Sequence, residues 1–175
     1  NHSSGTGAAT IELIEFGDFQ CSACGSFYPI VEQIRTTYGN IINFTFRNFP
    51  LVSIHPNALA AHRTAEAASA QGKFFEMYDL LYQNQTSWAQ LSNPLPVFES
   101  YASRLNLDIS KYKADFASEA VNDTINADIK EGKDKYDANS TPTFILNGQK
   151  LDNSEIGSLE LFTKKIDEAI ASKIP

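Results

Sequence analysis

The amino-acid sequence predicts an α/β domain interrupted by an all-helical insertion, and three observations indicate this fold class. Near the N-terminus, two short apolar runs flank a segment with helical spacing. Residues 54–119 then carry helical patterns without a strand signal. Near the C-terminus, an Asn-Gly pair separates two short strand-like runs, and an amphipathic segment follows them. Such alternation is typical of domains that pack helices on a sheet.

The first half of the predicted sheet is a strand, a helix and a second strand. Residues 11–16 form a short apolar run, which indicates a buried strand. Within residues 22–38, apolar side chains recur at three- and four-residue steps from Phe27 to Ile34, which predicts a helix. Residues 41–46 form the second strand. Because a helix connects them, the two strands are expected to be parallel.

Five further helices are predicted from apolar spacing and composition. They lie at residues 55–70, 74–82, 97–105, 110–116 and 119–136. A hairpin follows at residues 143–151, because Asn147-Gly148 suits a type I′ turn, which needs positive φ at both central residues. Residues 158–172 close the chain as an amphipathic helix.

This order of elements matches a thioredoxin fold with an all-helical insertion between its βαβ and ββα halves. We assign residues 10–53 and 120–175 to the thioredoxin-like domain and residues 54–119 to the insertion. Residues 1–9 are small and polar, which predicts a disordered tail or a remnant of cloning. The chain starts without Met, so we expect any targeting or anchor segment of the full gene to lie outside it.

The composition of the chain argues against several classes of function. The chain has 175 residues, with 14 Lys and Arg against 21 Asp and Glu, and a net charge of −7. An acidic domain without a basic cluster is a poor binder of nucleic acid or of anionic membranes. No run of apolar residues is long enough for a membrane span. With 42% hydrophobic residues, the core does not need disulfides to fold.

The only two cysteines stand in the motif Cys21-Ser22-Ala23-Cys24, which allows three interpretations. The first is half of a zinc site, which needs four ligands; the remaining candidates are the scattered histidines His2, His55 and His62. The second is a structural disulfide, but closing so short a loop stabilises a fold by only about 2 kcal/mol. The third, a redox pair, is the favoured interpretation.

The position of the motif supports the redox interpretation. Cys21 is predicted at the first turn of a helix that follows a buried strand, where free N–H groups and the helix dipole favour a thiolate. Cys24 lies three residues later, on the same side and one turn deeper. We therefore expect an exposed attacking thiol with a lowered pKa at Cys21, and a shielded resolving thiol at Cys24.

The segment Glu15-Phe16-Gly17-Asp18-Phe19-Gln20-Cys21-Ser22-Ala23-Cys24 resembles the active-site strand and helix start of DsbA-like thiol-disulfide oxidoreductases, in the thioredoxin superfamily. Further segments are similar to the family's second strand, insertion helices and cis-proline strand. They lie at residues 46–51, 55–58, 67–81 and 140–148. The resemblance covers residues 11–170, nearly the whole chain.

The resemblance implies an enzyme that exchanges the Cys21–Cys24 disulfide with thiols of protein or peptide substrates. It implies no metal and no organic cofactor besides this disulfide. The family works outside the cytosol, in the periplasm or cell envelope, and a membrane redox partner reoxidises it. We expect a monomer that binds no nucleic acid.

The resemblance also implies roles for residues near the motif. Glu15 would lie beneath the cysteines and relay protons to Cys24. The Thr141–Pro142 peptide bond would be cis, and Thr141 would dock an extended substrate segment beside Cys21. A proline at the start of a strand is consistent with this, because it cannot donate to a sheet ladder.

The sequence departs from the strong oxidants of this family, which have His before the second cysteine, where this chain has Ser22-Ala23. We therefore expect a reduction potential between about −120 mV and about −270 mV. Two alternatives keep the fold: a reductase or isomerase with the same site, and a non-catalytic binding module. A glutathione-binding relative is disfavoured, because such relatives usually lack the second cysteine.

Ordinary structural roles are expected at several other polar or aromatic positions. Arg47 is interpreted as a surface residue, and Trp88 as part of a satellite core. His55 and His62 are interpreted as helix-end and packing residues. A solvated helix face is predicted for four acidic residues: Asp123, Asp128, Glu131 and Asp134.

Overall fold

A mixed five-stranded sheet forms the centre of the computed structural model, which describes residues 2–5 and 11–172. The strands are β1 (His2–Ser4), β2 (Ile11–Gly17), β3 (Ile42–Asn48), β4 (Thr143–Leu146) and β5 (Gln149–Lys150). Their order is β1-β3-β2-β4-β5. Strands β2 and β3 are parallel, and the other neighbours are antiparallel. The predicted βαβ unit and C-terminal hairpin are confirmed.

Eight α-helices are present among the described residues. They are α1 (Ser22–Tyr38), α2 (Ala58–Ser69), α3 (Phe74–Gln83), α4 (Gln85–Trp88), α5 (Leu95–Arg104), α6 (Ile109–Phe116), α7 (Glu119–Tyr136) and α8 (Leu159–Ala171). A short 3₁₀ helix spans Asn153–Glu155. Helices α2 to α6 separate the two halves of the sheet, which confirms the predicted fold class. Helix α4 has only four residues, Gln85–Trp88, and none of the predicted helices covers it.

The two faces of the sheet bury separate apolar clusters, because successive side chains of a strand point to opposite sides. Leu13 lies in the larger cluster, with α1, α8 and the insertion. Ile14 and Phe16 lie in the smaller cluster, with the end of α7. Glu15 therefore points to the same side as Leu13, toward α1.

The hairpin turn has the backbone that the sequence predicts. Asn147 has φ of 49° and Gly148 has φ of 82°. Positive φ at both central residues suits a two-residue hairpin, because its twist matches that of the flanking strands. This turn brings β5 back along β4.

The predicted disordered tail is wrong for His2–Ser4, which form β1 against β3. His2 stacks on Phe74 with 3.6 Å between ring centroids, and its Nε2 lies 2.6 Å from Glu66 Oε1. These side-chain contacts hold a segment whose composition alone suggests disorder. Residues 1 and 6–9, the rest of the predicted tail, lie outside the described residues.

The interpretations of Arg47 and Asp128 as solvent-facing are also wrong. Asp128 is buried where α7 packs against β3, and its Oδ2 accepts hydrogen bonds from the backbone N and the Nδ2 of Asn48, at 2.9 and 2.8 Å. Arg47 is buried too, with its Nε 3.0 Å from Glu131 Oε2. Trp88 is fully buried, which confirms its core role.

Candidate active site

The two cysteines lie at the start of α1, directly after the central strand β2. Cys21 is the N-cap residue of α1, with extended backbone, and its N–H donates to Asp18 O at 3.1 Å. Cys21 is 8% exposed and Cys24 is 0% exposed. Both thiols are free. Cys24 is shielded, as expected, but Cys21 is buried as well, which differs from the exposed attacking thiol that the sequence predicts.

The pKa of Cys21 is lowered to about 5, mainly because the Cys24 thiol donates a hydrogen bond to the Cys21 sulfur. Thr141 and the backbone N–H groups of Cys24 and Ala23 lower it further, while partial burial opposes them. Hydrogen bonds to the charged form favour ionisation. The motif lacks a histidine, and its own thiol and main chain stabilise the thiolate instead.

Cys24 has the opposite environment. Burial raises its pKa well above the ordinary value of a thiol, and the charges of Glu15 and Cys21 raise it further. The backbone N–H of Asp18 donates to Cys24 Sγ at 3.5 Å and acts in the other direction. One thiol of the pair is thus ionised near neutral pH, and the other is protonated.

Glu15 lies on β2 close to the cysteines and is 1% exposed. Burial raises its pKa to about 8, and the negative charge of Glu32 adds to the shift. Its Oε2 has no hydrogen-bond partner among the described residues. A carboxyl group in this state can accept or donate a proton near neutral pH.

The Thr141–Pro142 peptide bond is cis, as predicted. It lies immediately before β4, and Cys21 Sγ lies 3.4 Å from Thr141 O, to which it donates when the thiol is protonated. Asn153 Nδ2 donates to Pro142 O at 2.9 Å and holds the loop from its other side.

Two residues that the sequence analysis did not place in the site lie beside it. Asp18 is 0% exposed, and its carboxylate accepts hydrogen bonds from the backbone N–H groups of Gln20 and Leu51, both at 2.8 Å. His55 Nδ1 lies 2.7 Å from Asp18 Oδ2. His55 lies just before α2, at the predicted helix end, and its side chain pairs with Asp18 as well. No local pattern signals this pairing.

The helical insertion also contacts the motif, through Gln85 of α4. Its Nε2 donates to Phe19 O at 2.7 Å and to Cys21 O at 2.9 Å. A Cβ atom on Gly25 would lie 2.5 Å from Gln85 Oε1, so a larger residue there would displace the amide from this position. The amide therefore braces the start of α1 from the insertion side.

Two further properties concern the alternatives considered above. Within residues 2–5 and 11–172, no cluster of three or more His, Cys, Asp or Glu side chains is arranged to hold a metal ion. Across the same part of the chain, no helix has the length and apolar character that a membrane crossing requires.

Comparison with known sequences identifies one family and several relatives. The sequence model of the family described as Thioredoxin matches residues 1–168. A protein named Na(+)/H(+) antiporter NhaA 1 from Salinispora arenicola is 35% identical over 150 residues, which are 86% of this chain and 22% of that protein. The protein of the same name from Mycobacterium sp. (strain KMS) is 34% identical over 154 residues, or 86% and 24%. The chain thus spans less than a quarter of the length of these relatives.

Solved structures share the architecture over nearly the whole chain. α-DsbA1 from Wolbachia pipientis has a TM-score of 0.79 at 22% identity, covering 95% of this chain and 88% of that one. BdbD from Bacillus subtilis has a TM-score of 0.80 at 18% identity, with 95% and 90% covered. MdbA from Corynebacterium diphtheriae, described as a thiol-disulfide oxidoreductase, has a TM-score of 0.77 at 16% identity, with 93% and 86% covered. The chain belongs to the thioredoxin family, and its fold is that of the DsbA-like proteins.

Proposed function

We propose that this chain is a thiol-disulfide oxidoreductase that oxidises protein thiols through the Cys21–Cys24 pair. The main support is that two cysteines three residues apart have pKa values shifted in opposite directions. The pKa of Cys21 is lowered to about 5, and that of Cys24 is raised. Such a pair provides one ready nucleophile or leaving group and one protonated partner. The description of MdbA as a thiol-disulfide oxidoreductase supports the same chemistry.

In the oxidising direction, a substrate thiolate attacks Cys21 Sγ of the Cys21–Cys24 disulfide. The sulfur–sulfur bond breaks, and Cys24 leaves with the electron pair and takes a proton, for which we propose Glu15 as the donor. A second substrate thiolate attacks the substrate sulfur of the mixed disulfide, and Cys21 leaves as a thiolate. The substrate loses two electrons, and the pair gains them.

The lowered pKa of Cys21 favours this direction. A thiol of lower pKa leaves faster, and stabilising its thiolate stabilises the reduced pair. Each pKa unit corresponds to about 1.4 kcal/mol, or about 30 mV in the potential of a two-electron couple. The reduced enzyme must then be reoxidised, and we propose a membrane redox partner outside the cytosol for this step, with no cofactor besides the disulfide. Outside the cytosol, disulfides persist.

Thr141 is proposed as the substrate-docking residue. Its carbonyl already lies beside Cys21 Sγ, at the open start of β4. An extended substrate segment added here would pair through main-chain groups, and such pairing depends little on sequence. That suits an enzyme with many protein substrates, acting as a monomer. The antiporter name belongs to relatives of which this chain matches less than a quarter.

The decisive experiment is the equilibrium of the Cys21–Cys24 pair against glutathione buffers, with oxidation of a reduced unfolded protein measured alongside. We expect a potential between about −120 and about −270 mV, and substrate oxidation that Cys21→Ser abolishes. A potential below that range assigns the site to a reductase. If Cys21 alkylates no faster than an ordinary thiol at mildly acidic pH, the chain is a binding module instead.

A further inference from the structure

We propose that Asp18 and His55 form a positioning pair that holds a backbone N–H on the Cys24 sulfur and thereby speeds the steps in which Cys24 is a thiolate. This inference rests on the proposed function and adds two residues to it. Neither residue touches a substrate. The pair acts through the loop that joins β2 to α1.

The main chain of Asp18 contacts both cysteines. Its N–H donates to Cys24 Sγ at 3.5 Å, and its carbonyl accepts from the N–H of Cys21 at 3.1 Å. An N–H donor binds a thiolate more strongly than a thiol, because hydrogen bonds to charged groups are stronger. Because Cys24 is buried away from water, the Asp18 N–H directly stabilises its thiolate.

The side chain of Asp18 fixes this main chain in place. Its carboxylate is buried and accepts three N–H donors, from Gln20 N, Leu51 N and His55 Nδ1. Burying a charged carboxylate is costly unless it is paired and hydrogen-bonded. His55 is the one side chain among the three donors. Removing it leaves the carboxylate short of a partner and free to shift, together with the N–H on Cys24.

The loop around His55 does not depend on its side chain. Its backbone N–H donates to Leu51 O at 2.9 Å, and its carbonyl accepts from Ala58 N at 3.2 Å. The His55 side chain is 21% exposed, so a smaller residue leaves an opening to solvent rather than a closed cavity. The side chain can therefore be changed while the loop keeps its main-chain bonds.

The step in question is resolution of a mixed disulfide on Cys21. Cys24 loses its proton to solvent, its sulfur attacks Cys21 Sγ, and a new sulfur–sulfur bond forms. The bond from Cys21 to the other sulfur breaks, and that group leaves with the electron pair. The hydrogen bond from the Asp18 N–H stabilises the negative charge that forms on the Cys24 sulfur before the attack.

Reaction of the reduced chain with 5,5′-dithiobis(2-nitrobenzoate) separates the two thiols. The reagent is the oxidant: Cys21 attacks it and releases one thionitrobenzoate, and then Cys24 attacks Cys21 Sγ and releases the second. Stopped-flow absorbance at pH 6 with excess reagent resolves a reagent-dependent first phase and a reagent-independent second phase. The first phase reports Cys21, and the second reports Cys24.

We expect His55→Ala to slow the second phase about tenfold, a barrier change of about 1.4 kcal/mol, and to leave the first phase within about twofold. His55→Asn should restore much of the rate, because its amide nitrogen takes the place of Nδ1. His2→Ala is the matched control, since it breaks another histidine–carboxylate pair, with Glu66 at 2.6 Å, away from the motif. Both phases should be unchanged in it.

Equal second phases in wild type and folded His55→Ala would overturn the proposal, as would equal slowing of both phases. His55→Leu is read in the same way if the alanine variant does not fold. Loss of folding in both variants, with His2→Ala folded, would assign the pair to stability and also overturn it. Failure of the proposed function looks different: wild-type Cys21 would then react in the first phase as slowly as an ordinary thiol.

Discussion

At the scale of single residues, the site separates two thiols of the same kind by their surroundings. Cys21 accepts hydrogen bonds from N–H and S–H donors at the N-terminus of α1, whereas Cys24 is buried in the core. Because Cys24 donates to Cys21, stabilising one thiolate holds the proton on the other. This internal hydrogen bond takes the place of the histidine that the motif lacks.

Single replacements of the cysteines should therefore have different outcomes. Cys21→Ser should abolish disulfide exchange, because the attacking sulfur is lost. Cys24→Ser should keep attack but accumulate mixed disulfides with substrates, since no second thiol resolves them. Mass spectrometry of the intact chain after incubation with a disulfide-containing substrate detects these adducts. Equal alkylation rates for both thiols of the wild-type chain below pH 7 would contradict the assignment.

Glu15 provides a second test at this scale. Its pKa of about 8 means that it is largely protonated at pH 7 and can give a proton to Cys24 as that sulfur leaves. Glu15→Gln should slow steps that need proton transfer at Cys24 by about 10²-fold and remove their dependence on an ionisation near pH 8. Alkylation of Cys21 should change little.

The matched control is Glu12→Gln, an exposed carboxyl on the same strand. Disulfide exchange is measured from pH 5 to 9 for both variants. If Glu15→Gln follows the wild-type profile throughout this range, Glu15 has no part in proton transfer and is only a buried core residue.

At the scale of elements, the helical insertion braces the active-site helix. Gln85 of α4 donates two hydrogen bonds to carbonyls on either side of Gln20. Gln20 in turn donates from Nε2 to Ala89 O at 2.7 Å and accepts from Asn57 N at 2.7 Å. The turn before α1 is thus held from the insertion, although its residues belong to the sheet domain.

Gln85→Ala should lower the free energy of unfolding by about 2 kcal/mol, because two hydrogen bonds to carbonyls of the motif are lost at once. Gln83→Ala, at the exposed end of α3, should change it by less than about 0.5 kcal/mol. Urea unfolding of both variants measures the difference. Similar values for the two would mean that water replaces the Gln85 amide and that the insertion does not brace the motif.

The elements that the sequence predicts well are those with a local signal. Helix α7 has the predicted bounds, Glu119–Tyr136, because a serine cap and apolar spacing mark it. The cysteines and the turn at Asn147 follow from local patterns in the same way. Strand β1 and the Asp18–His55 pair depend on partners tens of residues away, and neither composition nor spacing indicates such partners.

At the scale of the whole molecule, the shifted pKa values of Cys21 and Glu15 make the free energy of unfolding depend on pH and on the redox state of the cysteine pair. The folded pKa of Cys21 is about 5, below the ordinary thiol value. The ionised Cys21 thiolate therefore stabilises the folded state at pH values above the unfolded pKa of a thiol. This stabilisation is lost as the pH falls toward 5. The folded pKa of Glu15 is about 8, above its ordinary value of 4.5. The contribution of Glu15 to the free energy of unfolding is fully present below pH 4.5 and is lost as the pH rises toward 8.

These two titrations have opposite signs between pH 5.5 and 7.5. In the reduced chain they offset each other, since unfolding adds a proton at Cys21 and releases one at Glu15. Of these two groups, only Glu15 titrates in the oxidised chain, because the disulfide carries no proton. Burial lowers the pKa of His62 to about 4, and that titration contributes equally to both redox forms. The free energy of unfolding of the reduced form, minus that of the oxidised form, should therefore rise by about 1.4 kcal/mol per pH unit.

Urea unfolding of both redox forms at several pH values between 5.5 and 7.5 measures the two slopes, and Glu15→Gln provides the control. Without the Glu15 titration, both slopes should become more positive, and the difference between them should stay at about 1.4 kcal/mol per pH unit. A stability difference between the redox forms that stays constant with pH would show that Cys21 is not ionised in the folded chain. The lowered pKa of Cys21, and with it the argument for the oxidising direction, would then be wrong.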